Sequence, residues 1–169
     1  VMHFICSRTQ LSDFSGFGVE WDFVEAPSQM LEHWCYCAEP LTLMSKHIET
    51  NKPIPIEIVE RIKCLKNVFT GYNHKRQLLF GMFDLKSHMI NFDETDHYDA
   101  LTFWNDCERD IFGEIPSIVT HQFASFGHLM GGYDAGYYGY LRSATYATNM
   151  FYVWFKKDGE ADECCCRPS

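Results

Sequence analysis

The sequence predicts an all-α protein, on three observations. Apolar residues recur at intervals of three and four, as in Phe23, Met30, Leu31, Trp34 and Cys37, the spacing that lines one face of a helix. No stretch alternates apolar and polar residues cleanly for more than a few positions, although Val119 to Phe126 is ambiguous. Proline and glycine clusters punctuate the periodic stretches, as at Asn51-Lys52-Pro53-Ile54-Pro55 and Gly113-Glu114-Ile115-Pro116.

Taken in order, residues 1–9 read as the back half of a helix. Ser12 to Trp21, with Ser15-Gly16-Phe17-Gly18, reads as a loop carrying aromatic anchors. Asp22 is the expected cap of the next helix, with Glu25 and Pro27 in its first turns. A shorter helix follows over Leu41 to Glu49, and the proline pair restarts another near Glu57. Gly71 is expected to divide that helix from a longer one, Asn73 to Met89, rich in Leu, Met and Phe. A further helix runs from Glu94 or Thr95 to Ile111. Ser117 to Gly131 is irregular, and the last helix spans roughly Asp134 to Lys157, with Gly159 as its stop signal.

The 169 residues suffice for one domain with a sizeable core, and 46% of them are hydrophobic. A formal charge of −9, with no basic run longer than Lys156-Lys157, argues against nucleic acid or an anionic membrane surface as partner. No apolar run approaches the ~18 residues of a membrane span, and the first residues carry no signal-peptide pattern. The eight cysteines lack the paired CxxC spacing of a zinc ribbon. They read as buried or half-buried free thiols in a reducing compartment. The contiguous Cys164-Cys165-Cys166 has no assigned role.

Three groups of residues can carry chemistry. Asp22, Glu25, Gln29 and Glu32 make one polar stripe at spacings of three and four. Such a stripe is either a solvated face or the source of one metal-ligating carboxylate. The eight histidines contain no HExxH, no HxxEH and no helical pair at i, i+4, so spacing alone gives no complete metal site. His121 and His128 flank an apolar loop, where a histidine is either a hydrogen-bonded structural residue or a proton donor. Gly132-Tyr133-Asp134-Ala135-Gly136-Tyr137-Tyr138-Gly139-Tyr140 holds four tyrosines and three glycines in nine residues. Its glycines allow close backbone approach and its phenols can stabilise an oxyanion or hold a peptide. An ordinary structural turn is the alternative.

Three of these stretches together carry a resemblance. Asp22-Phe23-Val24-Glu25-Ala26-Pro27-Ser28-Gln29-Met30-Leu31-Glu32 is followed by Phe126-Gly127-His128-Leu129-Met130-Gly131-Gly132-Tyr133-Asp134-Ala135 and by Tyr137-Tyr138-Gly139-Tyr140-Leu141. In this order and spacing they resemble the thimet oligopeptidase and neurolysin family of zinc metallopeptidases. The resemblance covers roughly residues 1–159, leaving 160–169 as an atypical acidic, cysteine-rich tail. It implies the helical part of a peptidase catalytic domain with a deep channel, in a monomeric parent enzyme of the cytoplasm or mitochondrion. The implied substrates are short peptides, cleaved at internal bonds, and the implied cofactor is one Zn²⁺.

In that family two histidines of an HExxH helix and a glutamate on the next helix hold the zinc, and the HExxH glutamate activates the bound water. The Glu25 segment matches the third ligand. Val1-Met2-His3 resembles the residues directly after HExxH, so the resemblance places that motif immediately before Val1, and His3 matches neither ligand. By position the oxyanion donor falls on Tyr140. Peptide contacts fall on Tyr133, Tyr137, Gly131 and Gly132, and either role falls on His128. The chain departs from the family after Leu141, where Arg142-Ser143-Ala144-Thr145 replaces a Trp, a Ser and an acid. The expectation is a fragment of an oligopeptidase that is inactive by itself. The alternative is a non-catalytic truncated paralogue that binds peptides or partners.

Overall fold

The computed structural model describes residues 2–91, 98–113 and 120–155, and over them the chain is all-α. Seven helices are found there: α1 (Met2–Cys6), α2 (Ala26–Glu32), α3 (Ala38–Met44), α4 (Ile56–Asn67), α5 (Thr70–His88), α6 (Ala100–Phe112) and α7 (Gly139–Trp154). From residue 120 on, the ambiguous stretch before Phe126 holds no strand. Its residues Gln122–Ser125 form a 3-10 turn, and a second follows at Gly127–Met130. No described helix is long and apolar enough to cross a membrane. The chain divides into two units, residues 1–70 with 143–169 and residues 71–142.

In the first unit, α2 begins three residues later than the Asp22 cap implies. A helix capped there would need Pro27 to donate its N–H to the Phe23 carbonyl, and proline has none. The Phe23 carbonyl accepts from Ala26 N instead, at 3.0 Å. Glu25 becomes the cap residue, with Pro27 in the first turn, and its carboxylate makes no capping bond. The helix then tightens into a 3-10 turn over His33–Tyr36. Likewise α3 starts at Ala38, because Pro40 fits only in a first turn, and it ends at Met44.

Aromatic side chains organise this unit. His3 is buried, and its Nδ1 donates to the Val24 carbonyl at 2.6 Å, which ties α1 to the turn before α2. Phe23 sits edge-on to both His3 and Tyr146. His33 stacks on Phe151 with ring centroids 4.8 Å apart, and Trp34 packs against Phe151 and Phe155. Ser143, one of the residues that departs from the family pattern, is fully buried and donates its hydroxyl to the Asp22 carbonyl at 2.9 Å. The bond gives the partly buried Asp22 carbonyl a side-chain donor.

The second unit is built on α5 and α6. Its core joins Leu79, Phe80 and Phe83 of α5 to Trp104 and Cys107 of α6 and to Phe126 and Tyr137 of the following segment. Each such side chain contributes roughly 1.5–3 kcal/mol by leaving water. The start of α5 lies at Thr70, one residue before the glycine expected to break it. The chain turns instead at Phe69, whose φ is 62°. The described start of α6 is Ala100, where Asp99 accepts from Leu101 N at 3.0 Å and Thr102 N at 3.4 Å. Glu94 and Thr95, the expected start, lie outside the described residues. Gly113, at φ 83°, ends α6 in the left-handed conformation that favours glycine. The last helix begins at Gly139 rather than Asp134, for a reason found in the site. The stop expected at Gly159, and the tail from 160 onward, lie outside the described residues.

The five described cysteines are all free thiols. Cys107 is buried, and burial raises its pKa. Cys6 and Cys35 are exposed, contrary to the expectation of burial.

Candidate functional site

Residues at intervals of four along α5 share one face, so Arg76, Phe80, Asp84 and His88 form a stripe. Phe80 packs on Phe126 with centroids 4.5 Å apart and sits edge-on to Tyr137 at 5.6 Å. Asp84 has no exposed surface. Its Oδ1 accepts from Ala135 N at 2.9 Å and its Oδ2 from Tyr137 N at 3.0 Å. His88 Nδ1 lies 2.8 Å from the Asp84 main-chain oxygen and 3.1 Å from Oδ1. Ala135 is held at φ 54°, a conformation that costs a non-glycine residue about 1–2 kcal/mol. A buried carboxylate thus pins the tyrosine-rich segment in a series of turns, and α7 starts only beyond it.

That pinning gathers the candidate residues of this unit. The His128 ring lies edge-on to Tyr133, Tyr137 and Tyr140, at centroid distances of 5.4, 5.2 and 5.7 Å. Tyr133 and Tyr140 stack at 5.3 Å. Tyr140 Oη stands 3.5 Å from His128 Nε2, long for a hydrogen bond. An acceptor placed between those two atoms is within reach of both.

Tyr137 is buried, and its hydroxyl donates to Gln77 Oε1 at 2.9 Å. Burial, chiefly, raises its pKa, with the neighbouring Tyr140 acting in the same direction, so it stays a neutral phenol at physiological pH.

These side chains border a cavity of about 620 Å³, within the size range of ligand pockets. Phe80, Phe126, His128, Gly131, Tyr133 and Tyr137 are among its walls. Tyr140 is not a wall residue; it meets the site through His128 and Tyr133. Gly131 admits no side chain freely, since a Cβ there would come within 3.0 Å of the Gly127 carbonyl oxygen. Gly132 has φ 87° with open space around it, so its glycine answers to backbone conformation rather than to crowding. His121 is exposed and packs edge-on to Phe123.

Glu25 belongs to the first unit, half-buried at the start of α2. A protein zinc site takes three or four side-chain ligands. Among the described residues, no group of three or more His, Cys, Asp or Glu lies together to hold a metal. The described residues therefore do not by themselves make a zinc site.

Asp84, Gln77 and Arg76 were not singled out by the sequence reading. Asp84 had one signal, an acid on the apolar side of a helix rich in Leu, Met and Phe.

The sequence pattern of peptidase family M3 matches residues 1–164. Saccharolysin of Saccharomyces cerevisiae is 37% identical over 160 residues, which cover 93% of this chain and 22% of that protein. The thimet-like oligopeptidase of Dictyostelium discoideum is 34% identical over 158 residues, covering 92% of this chain and 23% of its own length. The mitochondrial intermediate peptidase of Botryotinia fuckeliana is 34% identical over 167 residues, covering 95% and 20%. The chain thus spans about a fifth to a quarter of the length of these curated relatives.

Proposed function

The chain belongs to peptidase family M3, and from that premise we propose that it forms the peptide-holding and oxyanion-stabilising part of a zinc oligopeptidase active site. The reaction is hydrolysis of internal bonds in short peptides, in a monomeric parent of the cytoplasm or mitochondrion. Residues 1–159 serve as part of the catalytic domain. The observation that carries this reading is the convergence of Tyr140 Oη and His128 Nε2, 3.5 Å apart, beside a cavity walled by Tyr133 and Tyr137. Two donors aimed at one point suit an oxygen that gains charge as a carbonyl becomes tetrahedral. Tyr133, Tyr137, Gly131 and Gly132 hold the peptide around it.

Glu25 is assigned to zinc as a single ligand, the others lying outside this sequence, which contains no HExxH. The chain alone is then a peptide binder without turnover. The expected result is that the purified 169-residue chain binds short peptides and returns them intact, with or without added zinc. Stoichiometric zinc uptake accompanied by hydrolysis would overturn the ligand assignment. Loss of peptide binding in a folded chain would overturn the reading itself.

A further inference from the structure

We propose that Arg76 is a specificity residue that captures a carboxylate of the bound peptide, an inference that rests on the peptide-site reading above. Arg76 lines the cavity together with Gln122, Ser125 and the His128 group, and no acidic residue among the described residues lines it. Its guanidinium carbon lies 4.8 Å from the centroid of the Phe80 ring, itself a wall of the same cavity. A guanidinium over an aromatic face is held there by the ring's negative face and still has its N–H groups to offer. Those groups form the rigid fork that matches a carboxylate with two parallel hydrogen bonds. No carboxylate among the described residues forms an ion pair with it: the described salt bridges involve Glu60, Asp84, Asp106 and Asp110 with other partners. Gln122 and Ser125 add neutral polar groups, which tolerate an anion without competing for the arginine.

The carboxylate can come from a free peptide C-terminus or from an Asp or Glu side chain. The geometry of the cavity sets the chemistry that is recognised and leaves the source to experiment. Either source gives charge-assisted hydrogen bonds, and losing them should weaken binding roughly tenfold or more. The margin should shrink as salt rises, because the arginine is exposed.

The test uses the whole chain and three pentapeptides of one neutral, aromatic-containing sequence. One ends in an amide, one in a free carboxylate, and one in an amide with Glu as its last residue. Calorimetric or fluorescence titration should show tighter binding of at least one carboxylate peptide than of the plain amide. Which of the two gains identifies the source. Arg76→Gln should remove the margin while leaving affinity for the amide within about twofold of wild type. Arg76→Lys, which keeps the charge without the fork, should keep part of it and guards against a folding defect in the first variant. Equal affinity of the wild type for all three peptides, or a margin that survives Arg76→Gln, overturns the role of Arg76 and leaves the peptide site standing. Failure of every peptide to bind overturns both.

Discussion

Replacing Asp84 with alanine should destabilise the second unit by on the order of 2–6 kcal/mol. The substitution removes a fully buried carboxylate that accepts the main-chain N–H groups of Ala135 and Tyr137. Each N–H left inside without a partner costs about 1–3 kcal/mol. Against a typical domain stability of about 5–15 kcal/mol, a loss of this size is severe. It also releases Ala135 from its left-handed backbone, so the tyrosine segment should lose its order first. Asp84→Asn keeps an acceptor for one of the two N–H groups and should recover part of the loss. Ala135→Gly is the opposing control. Glycine adopts φ 54° without the Cβ penalty, so this change should be neutral or stabilising by up to about 1 kcal/mol. Urea unfolding followed by the fluorescence of Trp104, buried in the same core, would measure both. An Asp84→Ala loss below ~1 kcal/mol would remove the carboxylate from its place as the organiser of the loop.

The second large effect belongs to Tyr140. In an enzyme that carries this segment together with an HExxH helix, Tyr140→Phe should lower kcat by roughly 10²–10³-fold, the usual effect of losing one oxyanion donor. KM should change far less, because a hydroxyl in the proposed oxyanion role acts on the tetrahedral species rather than on the bound peptide. Folding should hold, since the ring keeps its stack on Tyr133 at 5.3 Å and its edge contact to His128. Steady-state kinetics of the variant, beside its thermal unfolding, check this. An unchanged kcat would mean that Tyr140 only buttresses Tyr133 and His128.

Much of the architecture could be read locally. Gly113 stops α6 where the glycine sits, and α4, at Ile56–Asn67, begins directly after the Pro53–Pro55 pair. The errors have physical causes. The helix expected from Asp22 ignored the missing donor of Pro27. The helix expected from Asp134 ignored Asp84, which lies 51 residues from Ala135 and 53 from Tyr137. A local pattern cannot see a carboxylate that far away intercepting the first N–H groups of a would-be helix.

The candidate site was legible in a similar measure. His128, Tyr133 and Tyr137 fall close together in sequence, and the structure brings them together with Tyr140 around one imidazole. Arg76 and Gln77 were silent because polar residues on a helix ordinarily face water. Only the folded unit shows that one lines the cavity and the other accepts from Tyr137. His3, which by the resemblance matches neither zinc ligand, is bonded to a backbone carbonyl.

The central claim is that peptide is held by the tyrosine segment of the second unit. Amide hydrogen exchange of the whole chain, with and without a saturating short peptide, tests it most directly. Slowed exchange is expected across residues 127–140, with little change in α3 and α4. Bound peptide with unchanged exchange over 127–140, or protection confined to the first unit, would contradict it.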